Sequence, residues 1–303
     1  MAFAEYYKKQ VDLLLSVLPI VAKESCFALK GGSAINLFYQ DMPRLSVDID
    51  LVYTEINGRE LAYERINESL SIIAKVLNQS GIHADVRGTK EKKILCTQGD
   101  TIIKIEPNYT LRGTVRQPVS LGVTDKVQDM FGFVQMNVLA FEELYAGKFC
   151  AALDRQHPRD LFDVNKFYEQ ESSLSEDLIQ CFVVYLLGHN RPVHELLDCE
   201  IQDQSKVFEN EFVGMTDEPS NYAKLQDSLM RLKADLKKRL IPYLNFMSDF
   251  LSLQMDFSDF PLPGIQNMPA IQWKIQNLEK LRKTNRVKFK MQVDKLKDFF
   301  RNG

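Results

Sequence analysis

Two aspartates, Asp48 and Asp50, stand two positions apart in a segment of alternating apolar and acidic residues. On a β-strand such positions share a face and lie about 7 Å apart along the chain. Two carboxylates on one face repel each other unless a cation lies between them. Oxygen ligands suit Mg²⁺, which binds one or two carboxylates together with water and phosphate oxygens. The pair predicts a magnesium–phosphate site; the acidic outer face of an edge strand is the alternative explanation.

A glycine pair and a serine, Gly31, Gly32 and Ser33, follow the short apolar stretch 26–29. Glycines in a strand-to-helix turn let backbone N–H groups approach a phosphate closely. The Ser33 hydroxyl can add another donor. We expect these three residues to bind the phosphates of a nucleotide, and a plain glycine turn is the alternative.

Glu106 is a third acidic residue on a predicted strand, 101–106, which Pro107 is expected to end. If this strand lies beside the one that carries the two aspartates, three carboxylates converge and Glu106 is a further metal ligand. Lys104 on the same face weighs against this role, and an exposed glutamate is the alternative.

Five charged residues are concentrated in the stretch 148–163: Lys148, Arg155, Arg159, Asp160 and Asp163. A lysine or arginine beside a triphosphate neutralises charge that develops in the transition state. A helix–loop–helix joint held by ion pairs is the alternative, and this segment by itself favours the joint.

The patterns that position these residues divide the chain in two. Strand alternation and helical spacing both occur before residue 140, with predicted helices over 3–24, 34–39 and 61–79 and strands over 46–53, 84–87, 93–97 and 101–106. Helical spacing dominates afterwards, over 142–153, 160–169, 222–253 and 271–300. We predict an α+β fold, with one domain over 1–140 and an α-helical domain over 141–303.

Composition excludes few function classes. Apolar residues make up 45% and charged residues 26% of the 303 residues, as in ordinary globular proteins. No apolar run approaches the roughly 18–20 residues that span a bilayer, so we expect no membrane segment. The N-terminal sequence shows no export signal, and the five cysteines form no Cys-x-x-Cys pair. These features favour a cytoplasmic protein.

Positive charge is concentrated near the C-terminus. The stretch 274–301 holds ten Lys and Arg against three Asp and Glu, so the remaining chain carries a formal charge of −10 within the total of −3. Such asymmetry is typical of a surface that binds a polyanion, and a solvated helix face is the alternative.

Together these segments resemble the AbiEii/AbiGii family of nucleotidyltransferase toxins, which includes the mycobacterial MenT group. The similarity lies in 29–37, in 44–52, in the stretch from 146 through 164 and in 271–281. It implies a bilobed protein with a polymerase-β-like N-terminal domain and a helical C-terminal domain that completes the active site.

The resemblance also implies roles for single residues. Gly32 and Ser33 are expected to hold phosphate, Asp48 and Asp50 to bind Mg²⁺, and Lys148 to contact the triphosphate.

In the same way, the family has an essential aspartate in its Arg-Asp-x-x-Asp segment, for which Asp160 is slightly favoured over Asp163. We add Gly31 and Arg159 as nucleotide contacts and Glu106 as a metal ligand.

The implied function is that of a toxin in a toxin–antitoxin or abortive phage-defence system. We expect it to transfer a nucleotide from a nucleoside triphosphate to RNA, with the tRNA 3′ end as acceptor. Mg²⁺ is the expected cofactor, with Mn²⁺ as a substitute, and an AbiEi-like antitoxin is an expected partner. The alternatives are nucleotidylation of a protein or a small molecule, and an inactive nucleotidyltransferase fold that only binds.

Overall fold

The computed structural model describes residues 5–216 and 218–301. The chain divides into two compact units. The first comprises the described residues up to Leu144 and the segment Phe212–Ser220, and the second comprises Tyr145–Glu211 and the described residues from Asn221 onward.

The first unit is built on a seven-stranded sheet with the strand order β3-β4-β5-β2-β1-β7-β6. In chain order its elements are α1 (Glu5–Val21), β1 (Phe27–Lys30), α2 (Gly31–Ala34), a π-helical turn (Ile35–Tyr39), β2 (Asp48–Tyr53), α3 (Arg59–Gln79), β3 (His83–Arg87), β4 (Lys93–Gln98), β5 (Thr101–Asn108), β6 (Val119–Gly122), α4 (Asp125–Phe131) and β7 (Gln135–Val138). The predicted helix over 3–24 is thus found as α1, and its residues 3 and 4 lie outside the described part of the chain.

The acidic strand lies at the centre of this sheet. β2 pairs antiparallel with β1 on one side and parallel with β5 on the other. Helices α1 and α3 pack against the sheet, and Val11, Leu14 and Leu18 of α1 are fully buried. A central strand with a packed apolar face holds its polar side chains at fixed positions.

Three elements between residues 107 and 141 were not predicted from the sequence: β6, α4 and β7. Each strand is four residues long, which is too short for a periodic pattern to be recognised.

Pro107 was expected to end its strand, but β5 continues to Asn108. Beyond Ile105 β5 pairs only with β2, and proline is tolerated where a strand has a neighbour on one side only.

A segment from far along the chain completes the first unit. In the segment Phe212–Ser220, the Met215 carbonyl accepts a hydrogen bond at 2.7 Å from the N–H of Leu45, which precedes β2. The Thr216 hydroxyl donates to the Pro43 carbonyl at 2.9 Å. These bonds fix the approach to the acidic strand.

After β7, all the regular elements of the described chain are helical. They are α5 (Phe141–Arg155), α6 (Pro158–Gln170), α7 (Glu176–Gly188), α8 (Val193–Leu197), α9 (Ser205–Val207), a π-helical turn (Phe208–Phe212), α10 (Tyr222–Arg239), a 3₁₀ turn (Ile241–Tyr243), α11 (Leu244–Ser252), two further 3₁₀ turns (Phe257–Asp259 and Ile265–Asn267), α12 (Pro269–Thr284) and α13 (Arg286–Arg301). None of the described helices combines the length and the apolar character needed to cross a membrane. The α+β class is confirmed.

Two predicted long helices are each divided. The one expected over 222–253 breaks at a turn that contains Pro242, because proline lacks the N–H that a continuing helix needs. The one expected over 271–300 breaks at Asn285, whose side chain accepts from the Lys288 N–H at 2.9 Å and starts α13.

Aromatic packing dominates the core of the second unit. The fully buried Phe167 ring of α6 lies 4.9 Å from the Tyr145 ring and 5.2 Å from the Phe149 ring, between ring centroids. We predict that Phe167→Ala lowers the free energy of unfolding by about 3–5 kcal/mol, because it leaves a cavity in a close-packed cluster. Urea unfolding measures the change. Phe133→Ala is the control, since that side chain is 62% exposed, and equal losses for both variants would contradict the prediction.

Candidate active site

The two aspartates lie on one face of a strand whose other face is buried. Ile49 and Leu51 have no exposed surface, whereas Asp48 and Asp50 are half-buried. The predicted alternation of β2 is therefore confirmed, and its carboxylates are carried by the middle strand of the sheet rather than by an edge strand.

Neighbouring strands place a cation and a third carboxylate on either side of Asp50. In the antiparallel pair with β1, Asp50 is opposite Lys30, and in the parallel pair with β5 it is opposite Glu106. Directly opposed residues project from the same face of a sheet. The expectation that the strand of Glu106 lies beside the acidic strand is thus confirmed, and Lys104, which weighed against a metal site, is opposite Asp48.

Glu106 already has a cationic partner. Its carboxylate lies 2.9 Å from the Lys93 Nζ, and both side chains are partly exposed. Among the described residues, no three His, Cys, Asp or Glu side chains are grouped closely enough to hold a metal ion. The role of Glu106 as a third metal ligand stays a prediction.

A cavity of about 270 Å³ opens at this end of the strands. It is lined by Lys30, Asp50, Glu91, Glu106, Pro107, Asn108, Tyr109 and Thr110. Burial raises the pKa of Tyr109 to about 12, so its phenol stays protonated at neutral pH. The cavity thus offers an ammonium, three carboxylates and neutral donors in one place, which suits a ligand that carries both phosphate oxygens and a cation.

The glycine turn lies directly against the acidic strand. Gly31 has a φ of +73°, and a Cβ atom there would come within 2.5 Å of the Asp50 Oδ2. At Gly32 a Cβ would come within 2.6 Å of the Arg44 Nη2 and 2.7 Å of the Ser46 Oγ. Both positions therefore need glycine, and the backbone of the turn passes close to the Asp50 carboxylate.

Ser33 is turned inward. It is 1% exposed, and its hydroxyl donates to the Asp48 carbonyl at 2.5 Å and lies 3.1 Å from the Ser46 Oγ. This bond ties the turn to β2, a role that no pattern in the sequence indicates. The predicted contact of Ser33 with a phosphate stays a prediction, and its hydroxyl would have to leave Asp48 to make it.

The charged residues of the stretch 148–163 form a buried ionic cluster in the second unit. Lys148 Nζ on α5 lies 2.7 Å from Asp160 Oδ1 and 2.9 Å from Asp163 Oδ2 on α6. Lys148 is 7% exposed and each aspartate side chain 1%. Both aspartates thus contact the lysine.

Asp160 has an arginine partner in addition to the lysine. It also accepts from Arg155 Nε at 2.6 Å and from Arg155 Nη2 at 3.1 Å. Burial raises the pKa of Asp160, but the Lys148 charge and the Arg155 hydrogen bonds outweigh burial and hold the pKa well below its ordinary value. Asp160 is therefore ionised at neutral pH and a poor proton acceptor, suited to positioning Lys148.

Arg159 lies at the start of the same helix. Its side chain is half-buried, and its backbone N–H donates to His157 Nδ1 at 3.2 Å, which caps α6. Its predicted contact with a nucleotide stays a prediction.

The basic C-terminal stretch is less uniform than its sequence indicates. Lys274 is 7% exposed and donates to the carbonyls of His189 at 2.7 Å and Arg191 at 2.8 Å. Burial lowers the pKa of Lys274 to about 8. Its inclusion in a basic surface is therefore wrong, because its buried ammonium bonds to carbonyls of the loop between α7 and α8. The exposed cations of this stretch are Lys280, Arg282, Lys283, Arg286, Lys288, Lys290, Lys295, Lys297 and Arg301.

Comparison with known proteins decides the family. The sequence profile described as "Nucleotidyl transferase AbiEii toxin, Type IV TA system" matches residues 12–277, most of the chain. The chain belongs to the AbiEii nucleotidyltransferase toxin family. No curated protein sequence matches it. The solved structure of MenT4, a nucleotidyltransferase toxin from Mycobacterium tuberculosis H37Rv, matches with a TM-score of 0.59 and 14% identity over 97% of this chain and 95% of that one.

The AbiEii assignment confirms the predicted resemblance, and the likeness to MenT4 is one of fold. The motifs 29–37 and 44–52 lie inside the matched residues and form the turn and acidic strand described above. As an AbiEii protein, this chain carries its acidic pair and glycine turn in the first unit and its Lys148 cluster in the second.

We predict that Gly31→Ala lowers the free energy of unfolding by roughly 1–3 kcal/mol, because alanine is strained at positive φ and its Cβ would displace the Asp50 carboxylate. Gly58→Ala is the matched control: its φ is −54° and no atom lies within 4 Å of an added Cβ. Chemical denaturation of both variants measures the difference. An equal effect at the two positions would contradict the close packing of turn and strand.

We predict that Asp160→Asn lowers the free energy of unfolding by about 3–5 kcal/mol at neutral pH, since it removes one partner of a buried charge. The folded pKa of Asp160 is lowered, so its contribution is complete above the ordinary pKa of about 4 and is lost as pH falls through the folded value. The difference in the free energy of unfolding between wild type and variant should therefore stay constant from pH 7 to 5 and narrow only below about pH 4.

Urea titrations over that pH range test the Asp160 prediction. Asp85→Asn is the control, because Asp85 is 46% exposed and pairs with Arg87 at the surface; it should cost about 0–1 kcal/mol. A gap that already narrows near pH 6 would mean that Asp160 is not held ionised.

Proposed function

We propose that this AbiEii protein transfers a nucleotide from a nucleoside triphosphate to an RNA acceptor, the 3′ end of tRNA, and releases pyrophosphate. The observation that carries the proposal is the contact of the Gly31 turn with the carboxylate of Asp50 on a central strand. A phosphate-binding backbone and a metal-binding carboxylate side by side are what a polyphosphate–cation complex requires.

The donor set fits a divalent cation. Asp48 and Asp50 present carboxylates on one face of β2, both half-buried and both with oxygen ligands. Asp48 and Asp50 would hold Mg²⁺, or Mn²⁺ in its place, and the ion would supply positive charge against the negative charge that develops on the reacting phosphate. The metal ligands we propose are Asp48 and Asp50, with Glu106 as a third.

Groups of the protein itself bind the phosphates and accept the proton. Backbone N–H groups of the turn from Gly31 to Ser33 hold the phosphates, so that the acceptor hydroxyl can attack the α-phosphorus in line. The new phosphorus–oxygen bond replaces the bond to the β-phosphate oxygen, and pyrophosphate leaves. Glu106, opposite Asp50 and on the cavity wall, is the candidate acceptor of the hydroxyl proton.

In the second unit, we propose that Lys148 and Arg159 bring positive charge to the triphosphate. The two buried aspartates hold the Lys148 ammonium in one position, which removes the entropic cost of ordering a flexible side chain at the moment of reaction. In this proposal Asp160 and Asp163 are positioning residues, and residues 141–303 complete the active site.

The acceptor and the biological setting are also proposals. Nine exposed cations on α12 and α13 favour a polyanionic acceptor, and the family supports a role as a toxin countered by an antitoxin. We propose that the antitoxin is AbiEi-like and that the system acts in the cytoplasm, in abortive defence against phage.

Incubation of the purified protein with each α-³²P-labelled triphosphate, Mg²⁺ and total tRNA tests the function. We expect label at the tRNA 3′ end, and we predict that Asp50→Asn lowers the transfer rate at least about 10²–10³-fold, the scale of losing one transition-state contact, and abolishes growth inhibition on expression. Asp100→Asn, in the exposed turn between β4 and β5, should retain both. Label on protein or on small molecules would redirect the proposal to another acceptor, and a fully active Asp50→Asn would refute it.

A further inference from the structure

One ion pair on the acidic face of the sheet has no role in the transfer as proposed. Lys93, the first residue of β4, places its Nζ 2.9 Å from the Glu106 Oε1 on β5, and the two side chains are 45% and 37% exposed. Glu106 itself is directly opposite Asp50 on β2. A carboxylate that is proposed to bind a metal therefore already binds an ammonium group.

The strand order places Lys93 and Asp50 on opposite sides of Glu106. Because β5 lies between β4 and β2, a Glu106 side chain that reaches Lys93 turns away from the acidic strand. The Asp50 carboxylate leans the other way, towards the turn that follows β1, where a Cβ added to Gly31 would come within 2.5 Å of its Oδ2. The two carboxylates are thus drawn apart.

This divergence of the carboxylates leaves the third metal ligand out of place. In the part of the chain that the structure describes, no three acidic, histidine or cysteine side chains are close enough together to share a metal ion. The backbones of adjacent strands are only about 4.8 Å apart, so rotation of the Glu106 side chain alone can bring its carboxylate towards Asp50. For that rotation Glu106 has to exchange Lys93 for a cation that it shares with Asp50.

The weakness of the Lys93 ion pair permits this exchange. Partly exposed opposite charges stabilise a protein little, because water screens them and the long lysine side chain loses conformational freedom. The ion pairs of Lys148 are the contrasting case, since breaking them would leave uncompensated charges in the interior. Lys93 can therefore leave Glu106 at small cost.

We propose that Lys93 occupies the position of a cation beside Glu106 until a metal ion displaces it, and that this competition sets the metal concentration at which the site is completed. Lys93 is a positioning residue in this proposal, because it directs Glu106 away from Asp50 and does not take part in the transfer itself. The proposal rests on the proposed function for the identity of the metal ligands.

Binding of Mn²⁺ to the full-length protein without nucleotide tests the competition, with free Mn²⁺ measured from its electron paramagnetic resonance signal in about 0.15 M salt. Lys93→Met should tighten Mn²⁺ binding about fivefold, the factor that corresponds to an ion pair of this exposure. Lys75→Met, which removes the same charge from an exposed position on α3, is the matched control and should change the affinity less than about twofold. Unchanged affinity in Lys93→Met, or equal changes in the two variants, would overturn the proposal.

A double-mutant cycle separates competition for Glu106 from the mere loss of a nearby positive charge. The amide in Glu106→Gln forms no ion pair with Lys93, so adding Lys93→Met to that variant should change the Mn²⁺ affinity less than about twofold. A gain of about fivefold in that background as well would show that charge alone acts, and the proposal would fail. Lys93→Arg keeps the positive charge and should bind Mn²⁺ no more tightly than the wild type does; tighter binding would contradict the competition.

Failure of this inference can be told apart from failure of the proposed function. Because the ion pair is partly exposed, Lys93→Met should unfold at nearly the same temperature as the wild type, so its Mn²⁺ affinity reports on the site rather than on folding. If that affinity equals the wild-type value while the wild type still labels tRNA, the assignment of Lys93 fails and the transferase function stands. If Lys93→Met tightens Mn²⁺ binding through Glu106 but no triphosphate labels an acceptor, the assignment of Lys93 stands and the transferase function fails.

Discussion

The hydrogen bond from Ser33 to the Asp48 carbonyl, together with the contact of Gly31 and Asp50, is the constraint on which the first unit depends. It joins the turn after β1 to the start of β2, two segments that are also neighbours in the sheet. Because the Ser33 side chain is buried and has few rotamers, this bond holds the turn against the start of β2. Glycine at two successive positions is the steric condition for this arrangement.

Charge in the two units is balanced in different ways. Around Asp50 the carboxylates are only half-buried and alternate with lysines from neighbouring strands, so water and a bound cation can both reach them. Around Lys148 the ions are almost fully buried and satisfy one another, an arrangement that fixes geometry rather than adding stability. A site that must accept a metal–phosphate complex needs half-buried carboxylates that water and a cation can reach. A side chain that must keep one position needs buried, ion-paired partners.

The sequence predicted the elements whose pattern is long or chemically distinctive, including the acidic strand, the neighbouring strand of Glu106 and most of the helices. It did not predict β6, α4 and β7, because their patterns are too short, or the inward rotation of Ser33, because a hydroxyl can turn to a ligand or to its own backbone. The burial of Lys274 was missed for a similar reason: a lysine on an amphipathic helix is indistinguishable in sequence from its exposed neighbours, and only the packing of α12 shows which of them faces inward. For the charged residues of α5 and α6 the sequence left two explanations, a contact with a triphosphate or an ion-paired joint between helices. The contacts between α5 and α6 show that the ion-paired joint is present.

The return of Phe212–Ser220 to the first unit bears on how the protein folds during synthesis. Met215 and Thr216 bond to residues just before the acidic strand, so the support of that strand is incomplete until more than two-thirds of the chain has left the ribosome. The helices α5 to α8 are made before that closing segment and have to form while the sheet still lacks it. This order of synthesis delays the completion of the acidic site until the closing segment has been made.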